Sequence, residues 1–522
     1  MYACAHPDRR TVRRVFLLTA IFFFGAHLYR FCTLGFSHDS LLLDQSQDTA
    51  FQLSLGRFMQ PLYWQIRGDI VVPFLIGLLA CIFLALTIIL VVSLLRIRST
   101  LSIALVCMAL SVNATVSIGN ATYVSWADVY MLALLLSTLS VYLFCRFRFG
   151  FLASPFLLCA SLGLYQSYLQ TAILLYLMVL VHKVLDKASV RSVFCTGIAM
   201  VAQLLAGLLL YAFVYPLILN TLGIAAAATY NGLANIGNYT AQSFLSLAKE
   251  SYFYPFHILQ STLYPQTHLP DLAAILYALL LVITIASIIL TARNHALTIS
   301  SWAMLMLLTA LMPLGANIIY VISKGMVHIL MCYSFFFFFV FPISLGERLF
   351  AEHHPAFRAI RTTLTLTFLS LYLCNAAFAN QLYLRRDLEM QSTLSLMSRI
   401  IDRMDHVDEY HPGETPVAFV GTLFDTPLFM NRPGFENLFS IKGDYNVYAI
   451  SYETGFSWYF NQVLGYPIHI VSEQELAQTP IWEEIMDMPI FPEDDCCQMI
   501  DDILIVHLSR RNTASETQSP ES

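Results

Sequence analysis

The sequence contains little charge. Only 12% of its 522 residues are Asp, Glu, Lys or Arg, whereas 57% are hydrophobic. A soluble chain of this length would need a larger charged surface, so the composition argues against a soluble globular protein. It predicts instead a polytopic membrane protein, in which lipid covers long apolar segments.

Basic residues are scarce in the C-terminal part. From Gln381 onward the chain has 8 of its 28 Lys and Arg residues but 23 of its 34 Asp and Glu residues. This part therefore lacks the basic patch that binding to nucleic acid requires. We interpret it as a separate acidic domain that faces water, while most basic residues belong to the membrane part.

Cysteine provides no recognisable site. Most of the 11 cysteines, such as Cys81 and Cys107, lie within apolar runs, where they behave as small hydrophobic residues. The adjacent Cys496 and Cys497 are too cramped for an ordinary structural disulfide, and no zinc-finger spacing surrounds them. We therefore predict no metal site and no definite cofactor, and leave a divalent cation open as a component of the reaction.

Long apolar runs dominate the first 380 residues. The first, Val15–Leu34, follows four arginines. It is long for a signal-peptide core and has no small-residue cleavage site, so we predict a retained helix with a cytoplasmic N-terminus. The other apolar runs are Val71–Leu95, Leu101–Ile118, Val124–Phe144, Phe151–Leu185, Val193–Leu219, Leu272–Leu290, Ile299–Ile322, Val327–Leu345 and Ile360–Phe378.

The run Phe151–Leu185 is too long for one crossing. As a single helix it would measure about 50 Å, against a hydrocarbon core of roughly 30 Å. Basic residues, among them Arg148 and Lys187, lie on both sides of it, and both sides should be cytoplasmic. We therefore predict two crossings with a turn at Tyr165–Tyr168 on the outer face, which gives eleven spans and an extracytoplasmic C-terminus.

The predicted fold is mainly α, a polytopic bundle of about eleven transmembrane helices with a small C-terminal extracytoplasmic α/β domain. The transmembrane domain is residues 1–380, with long outer loops at 35–70 and 220–271. Residues 381–512 form the α/β domain, and residues 513–522 a disordered tail.

The predicted α/β domain opens with a helix, Tyr383–Met404. Apolar residues that include Leu394, Met397 and Met404 recur there at the spacing of one helix face. Short β-like runs separated by Gly, Pro, Asp and Asn follow. The predicted strands are Val417–Val420, Val447–Ile450, Ile468–Val471 and Ile503–Val506.

Two carboxylates at the outer surface are candidate catalytic groups. Asp39 is the first acid after the first span, and at a partly dehydrated interface it can act as a general base toward a sugar hydroxyl. Asp128 begins the fourth span on the same side and is the second candidate. The alternatives are that Asp39 is a solvated loop acid or a helix cap, and that Asp128 only caps its helix. His38 is a candidate proton shuttle, metal ligand or substrate-binding residue.

Cations and aromatic residues on the same face are candidate substrate-binding groups. Arg57 and Arg67, each beside a glycine, suit bidentate contact with phosphate, although interfacial arginines commonly snorkel to lipid headgroups. Lys324 and His328, before the tenth span, suit neutralisation of a phosphate. Aromatic and amide groups suit sugar binding, although an interfacial aromatic belt is an equal explanation. The residues concerned are Tyr165, Gln166 and Tyr168.

Six segments, taken in their order and spacing, carry a resemblance to a known family. They are FSHDS at 36–40, SLGRFMQP at 54–61, WADVYMLAL at 126–134, LGLYQSYL at 162–169, HILMCYSF at 328–335 and ANQLYLRRDLEMQSTLSLMSRIIDRM at 379–404. The chain resembles the polytopic Gtr-type glucosyltransferase II family, which is similar to C-type glycosyltransferases (GT-C). The resemblance implies an acid in the first outer loop that works beside a polyprenyl-phosphate sugar, and that role falls on Asp39. Some relatives have two adjacent acids where this chain has His38 and Asp39.

The sequence therefore leads to one main functional hypothesis. We predict a multi-pass enzyme of the cell (plasma or inner) membrane that transfers a sugar, glucose by the resemblance, from a polyprenyl-phosphate donor to a cell-envelope polysaccharide or glycopolymer on the outer face. The alternatives are a lipid-linked-saccharide transporter or flippase, a polysaccharide polymerase, and a non-catalytic envelope scaffold. A transporter should place ionisable residues at mid-membrane, whereas here the charges gather near the outer surface.

Overall fold

The structure is a computed structural model that describes residues 7–37, 40–227, 240–261, 269–295, 297–351, 357–421 and 453–510. It is predominantly helical as far as the transition into the C-terminal domain. The helices of this part, in chain order, are α1 (Arg9–Phe31), α2 (Thr49–Ser54), α3 (Met59–Arg67), α4 (Pro73–Leu94), α5 (Thr100–Ser111), α6 (Ala114–Thr122), α7 (Ala127–Arg146), α8 (Gly150–Leu164), α9 (Leu169–Leu185), α10 (Val190–Leu222), α11 (Ala241–Ser261), α12 (Leu269–Asn294), α13 (Ile299–Ala316), α14 (Ile318–Ile322), α15 (Tyr333–Phe337), α16 (Val340–Ala351) and α17 (Phe357–Asp405).

The membrane-spanning pattern agrees with the prediction. Among the described residues, nine helical segments are long and apolar enough to cross a membrane, and the bent pair α5 and α6 gives a tenth. The shorter apolar helix α8 is the eleventh predicted segment. The run 151–185 is divided where expected, because α8 ends at Leu164 and Tyr165 has an extended backbone with φ −160°. The predicted helical membrane bundle is confirmed.

Helix α17 is longer than the sequence pattern indicated. It contains 49 residues without Gly or Pro, so nothing interrupts it between the last span and the C-terminal domain. The predicted domain boundary at 380/381 therefore falls inside one continuous helix. Its C-terminal turns bury Leu396, Met397, Ile400 and Met404. The predicted apolar face is therefore confirmed at Met397 and Met404 and wrong at Leu394, which is 46% exposed.

The C-terminal domain contains a four-stranded mixed sheet. The remaining helices and the strands are β1 (Pro416–Val420), α18 (Glu453–Trp458), β2 (His469–Ile470), α19 (Glu473–Leu476), α20 (Trp482–Asp487), β3 (Cys497–Ile500) and β4 (Ile503–His507). The strand order is β2-β1-β4-β3, and only the β3–β4 pair is antiparallel. Asp501 and Asp502 join that pair with positive φ angles of 47° and 59°, which suit a two-residue hairpin turn.

The sheet confirms three of the four predicted strands and adds one. Strand β3 was missed, since its Cys, Gln and Met residues resemble neither an alternating nor a β-branched run. The predicted strand Val447–Ile450 lies outside the described residues.

The first outer loop shares its core with the C-terminal domain. Phe36 and Leu41 belong to the same buried apolar cluster as Met397, Tyr459 and Phe491. Phe36 is 4% exposed and Leu41 is fully buried. The loop is thus packed between the membrane bundle and the C-terminal domain, because burial of these two side chains favours the docked arrangement.

Candidate active site

The two residues at the centre of the sequence hypothesis, His38 and Asp39, lie outside the described residues. Their neighbours are described and are firmly held. Ser37 and Ser40 are 1% and 0% exposed. The Ser37 hydroxyl donates a hydrogen bond to the Thr122 carbonyl at the end of α6. The Ser37 N–H donates to the Ser40 hydroxyl at 2.8 Å, and the Ser40 N–H donates to the Ser37 carbonyl at 3.0 Å.

The C-terminal domain holds the loop a few residues further on. Gln462 Oε1 accepts hydrogen bonds from the Leu43 N–H at 2.7 Å and the Asp44 N–H at 3.3 Å. Its Nε2 donates to Gln47 Oε1 at 3.2 Å. One side chain from the C-terminal domain thus satisfies two backbone donors of the loop, which would otherwise need water.

Replacing Gln462 with leucine tests this docking. We expect a several-fold lower sugar-transfer rate, because leucine keeps similar bulk but leaves the loop donors without their acceptor. Transfer assays should be paired with limited proteolysis of the loop, which should become faster. Gln474→Leu is the matched control, since Gln474 is exposed in α19 of the same domain. Equal sugar-transfer rates and equal proteolysis rates in the two variants would contradict a docking role for Gln462.

Asp128 and Arg67 form a buried ion pair with each other. Arg67 Nη1 lies 3.1 Å from both carboxylate oxygens, and the two side chains are 1% and 0% exposed. Tyr63 donates its hydroxyl to Asp128 Oδ2 at 2.8 Å, and Arg67 Nη2 donates to Gln45 Oε1. Burial and the adjacent Asp128 carboxylate raise the pKa of Tyr63, so its hydroxyl remains a donor. The contacts of Tyr63 and Arg67 with Asp128 hold α3 against the start of α7.

Helix α3 lies along the membrane bundle with one face inward. Tyr63 and Trp64 are buried, while Leu62 and Ile66 on the other face are 50% and 80% exposed. Apolar residues on an exposed face are typical of a helix in the membrane interface. Gly163 permits the close approach of this segment to α8, because a Cβ there would lie 2.7 Å from the Phe58 ring.

Arg57 and Tyr165 are brought together. The Arg57 guanidinium lies 5.5 Å from the centre of the Tyr165 ring, a distance suited to a cation–π interaction. Arg57 Nη1 also donates to Gln52 Oε1 at 2.9 Å. The adjacent Gly56 has φ 80°, and a Cβ there would meet the Tyr211 hydroxyl at 2.1 Å. The glycine therefore allows the loop to approach α10 closely.

The predicted aromatic turn forms a row of rings. Tyr165 contacts Tyr130 at 4.8 Å and Tyr168 at 5.9 Å between ring centres, and Tyr168 contacts Tyr333 at 6.0 Å. Gln166 has a different environment. Its Nε2 donates to the Leu55 carbonyl at 2.8 Å and to the Tyr211 hydroxyl at 3.0 Å. Gln166 thus ties the first outer loop to the bundle.

Lys324 and His328 lie on the segment between α14 and the 3₁₀ turn Ile329–Cys332. Lys324 has a positive φ of 53°, and the His328 carbonyl accepts a hydrogen bond from the Met331 N–H at 2.8 Å. The turn packs on α6, where Thr115 donates to the Ile329 carbonyl at 3.0 Å. Tyr333, which follows the turn, connects this segment with the aromatic row.

Sequence reasoning missed a group of charged residues at the end of α1 and within α17. This buried arginine cluster consists of Arg30, Arg385 and Arg386 with Glu389, all 4% exposed or less. Glu389 lies 2.6 Å from Arg385 Nε and 2.6 Å from Arg386 Nη1. Arg386 Nη2 donates to the Thr122 hydroxyl at 3.0 Å. An arginine inside an apolar run and an Arg-Arg pair in mid-helix were the available signals.

Comparison with known proteins identifies one family. The sequence model of the family described as Glucosyl transferase GtrII matches residues 28–341, more than half of the chain. The match runs from α1 into α16 and covers every site residue that the sequence predicted. No curated protein and no solved structure matches the chain. These findings support a glycosyltransferase role, and the chain belongs to the glucosyl transferase GtrII family.

Proposed function

We propose that this protein transfers a sugar, glucose by its family, from a polyprenyl-phosphate donor to a cell-envelope polysaccharide or glycopolymer on the outer face of the membrane. Asp39 is the proposed general base. The observation that carries this proposal is the burial of residues on both sides of positions 38–39. Phe36 and Leu41 pack in the core shared with the C-terminal domain, and Ser37 is bonded to Thr122.

Such anchoring suits a catalytic residue. A general base must be held at a fixed place, because small displacements from the reacting proton lower the rate strongly. An acid in a solvated loop needs no such support, and its neighbours are commonly exposed. The two packed neighbours on each side of positions 38–39 therefore favour the catalytic interpretation over the solvated one.

The chemistry requires one base and an anion site. The acceptor hydroxyl gives its proton to Asp39, its oxygen forms the new bond to C1 of the sugar, and the bond from C1 to the phosphate oxygen breaks. Polyprenyl phosphate leaves as the product. Because phosphate is a good leaving group, the site needs no strong general acid. It needs cations that stabilise the departing phosphate and groups that orient the sugar.

The remaining predicted residues take supporting roles in this proposal. Arg57, with Lys324 and His328, contributes positive charge for the phosphate, and Tyr165 and Tyr168 provide ring faces for a sugar. Arg67 and Asp128 bind one another, so we assign them to positioning α3 and the first outer loop. His38 remains the proposed neighbour of the base, in proton transfer or substrate binding.

Arg57→Lys tests the phosphate role. We expect the variant to lose most of its activity, because lysine keeps the charge but not the planar fork that contacts phosphate and stacks on Tyr165. Transfer of labelled sugar from polyprenyl phosphate in membranes is the measurement. Arg148→Lys is the control, since Arg148 is exposed at the other end of the bundle, between α7 and α8. Normal turnover with Arg57→Lys would leave Arg57 as a headgroup-binding residue.

The proposed orientation is a cytoplasmic N-terminus and an extracytoplasmic C-terminal domain in the cell membrane. A cysteine introduced at Glu409, which is exposed after α17, should react with a membrane-impermeant maleimide in intact cells. The unmodified chain supplies the background, because Cys32 and Cys195 are exposed. Labelling above background only after permeabilisation would place the domain in the cytoplasm.

A further inference from the structure

The buried arginine cluster carries more positive than negative charge. In the part of the chain that the structure describes, two carboxylates lie beside its three arginines, those of Glu389 and of Asp387, which accepts a hydrogen bond from Tyr29. Arg30 is the least compensated member. Its Nε donates to the Asn120 carbonyl at 2.9 Å and its Nη2 to the Ala121 carbonyl at 3.5 Å. Among the described residues, no carboxylate lies within ion-pair distance of Arg30.

This arrangement is costly without an anion. Removing a guanidinium from water is unfavourable, and two neutral carbonyls compensate less than a carboxylate or a phosphate does. Arg30 also experiences the unfavourable like charge of Arg386 and the favourable charge of Asp387. In addition, the Asn120 side-chain nitrogen, beside the Tyr383 hydroxyl, is buried and makes no hydrogen bond of normal geometry to the described residues. A charged residue within a membrane-spanning segment, such as Arg30, is a candidate functional residue.

The buried arginine cluster also lies close to the first outer loop. Arg386 donates to the Thr122 hydroxyl, and the Thr122 carbonyl accepts the hydrogen bond from Ser37. A Cβ on Gly35 would lie 2.7 Å from Asp387 Oδ1 and 3.4 Å from the Arg386 backbone, so the exit of α1 lies directly against α17. The charges therefore lie beside the start of the loop that carries the proposed base.

We propose that Arg30 and Arg386 bind the phosphate of an isoprenyl-phosphate lipid. The proposal rests on the proposed donor and deepens it. Arg385 and Glu389 are positioning residues, because the shared carboxylate fixes both guanidinium planes on α17. The donor phosphate is a diester with two unbridged oxygens, and the polyprenyl phosphate product is a monoester with three terminal oxygens, so either can accept from guanidinium groups of α1 and α17 together.

Binding of farnesyl phosphate to the purified full-length protein in detergent tests this assignment without any sugar transfer. Ligand binding should raise the melting temperature in a concentration-dependent way, and farnesol, which lacks the phosphate, should not. We expect Arg30→Gln and Arg386→Gln to weaken binding about tenfold or more, as loss of a charge-assisted contact does. Arg348→Gln is the control, since Arg348 pairs with Asp186 at the other end of the bundle.

Two further variants distinguish a loss of phosphate binding from misfolding. Arg386→Gln leaves Glu389 with one cation fewer, so the double variant Arg386→Gln/Glu389→Gln removes both charges and keeps the local balance. Arg386→Lys keeps the positive charge and removes only the planar guanidinium that contacts phosphate through two N–H groups. Wild-type affinity in the folded double variant, or no difference between farnesyl phosphate and farnesol in the wild type, would overturn the assignment. Phosphate-dependent binding in a protein that transfers no sugar would instead contradict the proposed function alone.

Discussion

Replacing Asp39 with asparagine is expected to lower sugar transfer about 10²–10⁴-fold, the usual effect of losing a positioned general base. Asparagine has nearly the same shape but cannot accept the acceptor's proton. Ser37 and Ser40 keep their contacts, so the variant should insert and accumulate normally. Donor binding should change little. The measurement is transfer of labelled sugar from polyprenyl phosphate to envelope polymer in membranes that contain each variant.

Asp44→Asn is the matched control in the same loop. The Asp44 carboxylate accepts hydrogen bonds from the Ser46 hydroxyl at 2.6 Å and the Ser46 N–H at 3.0 Å. These bonds, the hydroxyl bond first, hold the pKa of Asp44 below its usual range. Its carboxylate therefore has a local structural role, and Asp44→Asn should keep much of the activity. Asp48→Asn is a second control, because Asp48 accepts from Gln52 Nε2 at 2.6 Å.

One result would move the catalytic role to another residue. If Asp39→Asn transferred sugar at the wild-type rate while a stably folded Asp128→Asn was inactive, Asp128 would be the base. The stability of Asp128→Asn must be measured in the same experiment, because its carboxylate is the buried partner of Arg67. Inactivity that accompanies unfolding would say nothing about proton transfer.

Removing one partner of the Arg67–Asp128 pair is expected to destabilise the protein by about 3–5 kcal/mol, because it leaves an uncompensated charge in a buried site. Arg67→Met leaves the Asp128 carboxylate with Tyr63 as its side-chain donor. Asp128→Asn leaves the guanidinium without its counter-charge. Both single variants should therefore show lower melting temperatures in detergent and lower accumulation in membranes.

The double variant Arg67→Met/Asp128→Leu separates charge from packing. It removes both charges and keeps apolar bulk, so it should recover a large part of the lost stability. Recovery of stability without full activity is expected, because α3 would remain folded while the position of the first outer loop relaxed. Single variants as stable as the wild type would contradict the buried ion pair. A double variant less stable than the two single changes together would contradict the pairwise account.

Local sequence patterns predicted the helical spans but not the contacts between distant residues. Apolar runs predicted the spans, and the excess length of 151–185 predicted the break at Tyr165, since hydrophobic length is a property of a contiguous segment. The same reasoning failed for α17. Polar residues after Phe378 suggested a separate helix, although the absence of Gly and Pro allowed the helix to continue. Strand β3 was missed because its pairing with β4 defines it more than its own residues do.

The sequence by itself determined the membrane bundle and the small C-terminal α/β domain, and it pointed to the loops between spans that carry the candidate residues. Only the tertiary structure decided which of the candidate residues contact one another. Arg67 and Asp128, predicted for two separate roles, bind each other across 61 positions of the chain. Arg30 and Arg386, placed inside predicted helices and given no role, donate to neighbouring residues at the end of α6, Arg30 to Asn120 and Arg386 to Thr122. Charge and hydrophobicity along the chain predict where a side chain lies relative to the membrane, but an ion pair or an anion site depends on helix packing, which brings distant residues within about 3 Å of one another.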